Sequence, residues 1–196
     1  MSKGEATRQA IVEHASRLAS TIGLQGLSIG RLAEDLKLSK SGLFAHFRSK
    51  QALDVQVLEH AASRFIELVI KPALAAPRGE PRVRAVFERW LRWPEASGMR
   101  GGCFFVAAAT ELDDQPGPAR DVLVRQQTDW LEIVANVVRT AVSERHFSKK
   151  VNPEQFAFEL YGIMLSYHMA ARLLASKDAR QRATTAFESL ISRAKK

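Results

Sequence analysis

Apolar residues recur at helical spacing along nearly the whole chain, and no segment alternates as a strand would. Ile11, Ala15, Leu18 and Ile22 predict a first helix over residues 5–22, with Gly23 placed to end it. Ile29, Leu32, Ala33 and Leu36 line one face of a short second helix, and Ser28 stands ahead of them as N-cap. Ser39 is set to cap a third helix whose Leu43 and Phe47 point back at the second, while Leu27 plugs the small core between them.

A longer fourth helix reads from Ser49 to about Ile70, before Pro72, with Leu53, Val57, Ala61, Phe65 and Leu68 as its stripe. The fifth spans 82–93 and is expected to stop at Pro94; the sixth spans 103–112 and is almost wholly apolar. A seventh follows over 119–145, and Asn152-Pro153 opens the eighth with a cap followed by proline at the first helical position. The ninth carries Ala183, Phe187, Leu190, Ile191 and Ala194 inward. The fold class is all-α, with about nine helices.

Composition narrows the class without naming a function. With 46% hydrophobic and 26% charged residues in 196, the chain reads as soluble and globular, and no apolar run approaches the roughly 20 residues that cross a bilayer. The N-terminal residues lack a signal-peptide core and there is one cysteine, Cys103, so a cytoplasmic location is expected. Net charge is +8, and residues 1–50 hold eight Lys or Arg against four Asp or Glu. Half the excess therefore sits in the first quarter of the chain, as expected for a polyanion ligand.

That basic stretch contains two short helices joined by a tight turn, the layout of a helix-turn-helix. The run Leu38-Ser39-Lys40-Ser41-Gly42-Leu43-Phe44-Ala45-His46-Phe47-Arg48-Ser49-Lys50 resembles the signature of the TetR family of one-component transcriptional regulators. The likeness covers roughly residues 7–58; beyond it the similarity is one of layout. Two positions depart from the family pattern. Phe44 stands where a tyrosine is usual, and Lys37 stands where the turn usually carries glycine, at a cost of about 1–2 kcal/mol if its φ is positive.

The resemblance implies a DNA-binding domain over residues 1–48 and an effector-binding and dimerisation domain over 49–196, linked by helix 49–70. Resemblance and chemistry together assign Lys40 and Ser41 to base edges, and Ser28, Ser39, His46 and Lys50 to phosphates. Gly42 and Phe44 complete the DNA-facing surface, Gly42 by allowing close approach. Phe65, Phe87, Trp90, Phe104, Phe105, Trp130, Met164 and His168 are the candidate lining of an effector pocket, apolar walls with one polar group.

The eighth helix is apolar nearly all round, so it needs cover on every side. A homodimer through the eighth and ninth helices supplies it, with Phe156, Phe158, Gly162, Leu165, Ser166, Met169, Leu173, Phe187, Leu190 and Ile191 as the expected interface. Two heads related by a twofold axis call for a palindromic double-stranded operator. The expected function is sequence-specific regulation of transcription, by a repressor that a small apolar or aromatic effector releases. No phosphate loop, metal-ligand spacing or nucleophile elbow occurs, so neither an enzyme nor a cofactor or metal is implied. Two alternatives share parts of the pattern: a basic helical protein coating nucleic acid or membrane without sequence preference, and a regulator responding to oxidation of Cys103.

Overall fold

Capping serines start the two shortest helices where the sequence places them. In the computed structural model, which describes residues 3–195, Ser28 Oγ accepts the Arg31 N–H at 3.1 Å and Ser39 Oγ accepts the Gly42 N–H at 3.0 Å. The helices are α1 (Lys3–Ile22), α2 (Ile29–Leu36), α3 (Lys40–His46) and α4, which runs Lys50–Phe65, makes a π-helical turn over Ile66–Ile70 and continues to Leu74. Next come α5 (Glu80–Ala96), α6 (Phe104–Leu112), α7 (Pro118–Ser143), α8 (Pro153–Arg172) and α9 (Ala179–Ala194). Among the described residues there is no strand.

Two prolines do less than the sequence suggests. Pro94 lies inside α5, which continues to Ala96. Its missing N–H falls in the last turns, and its own carbonyl accepts the Met99 N–H at 2.8 Å. The Gly98 N–H reaches Glu95 at 3.1 Å with Gly98 at φ 70°, a Schellman end that compensates for the lost rung. Pro72 sits just past the π turn, where the Lys71 N–H reaches back five residues to Ile66. The widened turn keeps the ring off the carbonyl that an α-helical register would push against it.

The same Schellman closure ends α2 without glycine. The Leu38 N–H bonds the Ala33 carbonyl at 2.9 Å and the Lys37 N–H bonds Glu34 at 3.2 Å, which forces Lys37 to φ 54°. The strain expected of Lys37 is therefore present. Lys37→Gly should remove about 1–2 kcal/mol of strain and give back about 0.4–1 kcal/mol in unfolded-chain entropy. The net result is a Tm higher by about 1–4 °C in a circular-dichroism melt; a lower Tm would show that the lysine side chain contributes more than its backbone costs.

The chain forms two compact units, residues 1–64 with 94–125, and 65–93 with 126–196, and it passes between them inside α4, α5 and α7. The unit holding the helix-turn-helix is thus larger than residues 1–48: it includes α6, docked on the end of α1. Gly23, at φ 75°, leaves room for the Glu111 carboxylate, which accepts the Gln25 N–H at 2.8 Å. Gly101 lies against the Ser20 carbonyl, and its N–H donates to Ser20 Oγ at 3.3 Å. Ile11, Leu27, Leu32, Leu43, Phe47, Leu53 and Val57 fill the core of this unit.

In the second unit α9 packs along α8, and Phe87 stacks on Phe187 with centroids 4.2 Å apart. His146 Nδ1 accepts the Glu80 N–H at 3.0 Å over Gly79, whose φ is 92°, so a side chain 66 positions away caps α5. Several charges on this unit are paired. Arg84 pairs with Glu80 and Glu188, Lys195 with Glu80, Arg139 with Glu132 and Glu154, and Arg193 with Glu159.

Candidate nucleic-acid interface and effector domain

On α3 the buried side is Leu43, with Phe47 just beyond the helix, and the opposite side is small, polar and cationic. Lys40, Ser41, Gly42, Phe44 and Ala45 are exposed, Phe44 by 53%, and His46 is half-buried beside Phe47. Ser39 and Ser28 use oxygen lone pairs on their caps, which leaves each hydroxyl proton to donate outward. Ser39 and Ser41 hydroxyls lie 3.2 Å apart. Gly42 keeps the first turn slim, since a Cβ there would stand 3.0 Å from Ser39 Oγ. Lys40 leans over Gly30 at the start of α2.

The helix-turn-helix surface carries cations that are not neutralised locally. Among the described residues no ion pair engages Arg31, Lys37, Lys40 or Arg48, all of them exposed. Lys50 differs. Its Nζ donates to the Leu24 carbonyl at 2.9 Å and to both Asp54 oxygens at 2.5 and 2.6 Å, so its three protons are committed within the unit. Burial pushes the Asp54 carboxyl up from the ordinary aspartate value, and the Lys50 ammonium opposes that shift.

The candidate effector residues divide. Phe104 and Phe105 belong to the first unit, at the start of α6; Phe65, Phe87, Trp90, Trp130, Met164 and His168 belong to the second. Phe65 stands edge-on between Trp93, at 5.2 Å, and Trp130, at 5.0 Å. Phe87 is engaged by Phe187, and Trp90 meets Tyr167 edge-on at 6.1 Å. Met164 is buried, and burial, with Arg172 nearby, pushes the half-buried His168 below the usual histidine value. Tyr161 donates its hydroxyl to Gln127 Oε1 at 2.7 Å.

The expected interface residues also divide. Phe156, Phe187, Leu190 and Ile191 are buried within the protomer, packed by its own α8 and α9. Phe158, Gly162, Leu165, Ser166, Met169 and Leu173 are exposed along one side of α8. Phe158 is 72% and Leu173 73% accessible, and nothing lies within 4 Å of a Cβ built on Gly162. Beside this stripe runs an open groove of about 670 Å³ between α8 and α9.

Two family models match the chain: bacterial regulatory proteins of the tetR family over residues 11–56, and the Tetracyclin repressor-like C-terminal domain over 79–187. The chain belongs to the TetR family. This TetR-family protein is 20% identical over 187 residues to the HTH-type transcriptional repressor NemR of Escherichia coli K12, covering 95% of this chain and 94% of NemR. A TetR regulator from Chloroflexus aurantiacus J-10-FL shares its fold, with 23% identity, a TM-score of 0.86, and coverage of 98% of this chain and 96% of that one. AibR, solved with isovaleryl coenzyme A and operator DNA, has 20% identity and a TM-score of 0.72, with coverage of 91% of this chain and 94% of AibR. Fold and family make this protein a transcriptional regulator with a helix-turn-helix, and no described helix is long and apolar enough to cross a membrane.

Sequence reasoning passed over two residues that matter in this TetR-family chain. Trp93, three residues after Trp90 and buried on the same helix, carried a periodic signal masked by the expectation that Pro94 ends the element. Asp54 lies four residues from Lys50, a helical ion-pair spacing that could have warned that the ammonium is engaged.

Proposed function

We propose that this protein is a homodimeric, cytoplasmic repressor that binds a palindromic operator through α3 and leaves it when a small apolar or aromatic effector enters the second unit. The observation that carries the reading is the uncompensated cationic surface of α2 and α3, within a matched TetR N-terminal domain. Lys40 and Ser41 address base edges, Ser28, Ser39 and His46 hold phosphates, and Gly42 and Phe44 permit close apolar approach. AibR, crystallised with both an operator and an acyl coenzyme A, supports the pairing of the two ligands. A response through Cys103 is not favoured: its side chain is buried at the start of α6. Phe65 and Trp130 are in ring contact within the effector lining of the second unit, and α4, which carries Phe65, begins at the head.

Selection of DNA from a random pool by the purified protein tests the reading. A dyad-symmetric sequence with half-site centres about 34–36 Å apart, or more, is expected, and equal retention of all fragments would defeat it. Lys40→Ala should cost about 1–3 kcal/mol and relax preference at one position of each half-site. Lys50 is assigned to holding α4 against the α1–α2 loop instead of to a phosphate. Lys50→Ala should therefore lower Tm yet leave the slope of affinity against salt unchanged; a flatter slope would return it to the phosphates.

A further inference from the structure

The indole of Trp130 is 5% exposed, and its Nε1–H has no hydrogen-bond partner among the described residues. Buried polar groups are paired with few exceptions, and each exception calls for an explanation, such as a bound water or a ligand. Its surroundings make it an anchor. The ring meets the edge of Phe65 at 5.0 Å, and α4 leaves its regular register for a π turn immediately after Phe65. Single π turns inside helices occur often at functional sites. One helical turn before Trp130, Gln127 already accepts the Tyr161 hydroxyl, so that neighbouring polar pair is satisfied while the indole is not.

We propose that Phe65 and Trp130 form an effector subsite in which the Trp130 N–H donates to an uncharged acceptor oxygen, such as a ketone, aldehyde or ester carbonyl, on an apolar or aromatic body. This rests on the reading of the second unit as an effector receptor and specifies the chemistry that enters it. A single neutral donor satisfies a carbonyl oxygen. It leaves a carboxylate's charge uncompensated in an apolar surround, which excludes acids as the preferred class. Phenylalanine would fill much of the same space, and only the N–H distinguishes the two rings.

The test uses the full-length protein with ¹⁵N-labelled indoles and three probes of one size: acetophenone, ethylbenzene and benzoate. The three tryptophans give three indole resonances, and Trp130→Phe identifies the one that matters. Acetophenone should move that resonance downfield and bind roughly tenfold tighter than ethylbenzene. In Trp130→Phe the preference should vanish, with ethylbenzene affinity kept within about twofold. The proposal falls if acetophenone binds wild type no better than ethylbenzene, if its advantage survives in Trp130→Phe, or if benzoate binds tightest. In each of those cases the unit still takes a small molecule and only the acceptor chemistry fails. If none of the probes moves any indole resonance or the Tm, the receptor reading fails together with the subsite. If Trp130→Phe folds poorly, Trp90→Phe and Trp93→Phe assign the Trp130 resonance by elimination, and the wild-type shift still decides.

Discussion

Replacing Gly101 by alanine should cost the first unit at least about 3 kcal/mol, the upper part of the range for forced overpacking. A Cβ at this position would stand 1.3 Å from the Ser20 carbonyl oxygen, 2.1 Å from its carbon and 2.8 Å from the Thr21 nitrogen. All three are backbone atoms of α1, so no rotamer change relieves the contact. The loop before α6 must back away, and with it go the Gly101 N–H bond to Ser20 and the seat of α6 on α1. A Tm lower by roughly 6–12 °C is expected for a chain of this size. A Tm within 2 °C of wild type would mean that α6 does not hold the head. Because the contacts of Gly101 are with α1, operator affinity measured well below the transition should change little.

The second large effect is expected on α8. Phe158→Glu should turn a dimer into a monomer without unfolding the protomer, since the Phe158 side chain touches so little of its own chain. Full burial of such a side chain is worth about 1.5–3 kcal/mol, and a twofold axis counts each substitution twice. Carboxylates placed in an apolar interface add a desolvation cost, so the dimer dissociation constant should rise by about a thousandfold or more. A single head then binds without its tethered twin, and operator affinity should fall by about 10²–10⁴. Sedimentation equilibrium and a mobility-shift titration read the two effects. A variant that stays dimeric would move the interface off the Phe158–Leu173 stripe.

How much of this was legible depended on how local each determinant is. Ser28 and Ser39 cap helices whose apolar spacing is set within a few residues, so α2 and α3 emerge from sequence with their boundaries. The extension of α5 past Pro94 and of α4 past Pro72 was not legible, because a proline's cost depends on which rung it removes and on a π turn that no residue type announces. On α8 two apolar stripes lie side by side, and periodicity cannot say that the Phe156 side faces the protomer while the Phe158 side faces out. Lys50 shows the limit for charges: a lysine in a basic stretch reads as a phosphate ligand until the Leu24 carbonyl and Asp54 are found beside it. The contact of Gly101 with Ser20 joins positions 81 apart and leaves no trace in either neighbourhood.

The bare cations on the head have a practical consequence for handling the molecule. Near 1 M electrolyte, where screening shortens to about 3 Å, nucleic acid held by exposed cations such as Arg31, Lys37, Lys40 and Arg48 should elute. The arginine–glutamate couples of α5, α7, α8 and α9 sit in contact and at the surface, where such pairs contribute little. A concentrated-brine wash on the column should therefore deliver stripped and intact protein in one step.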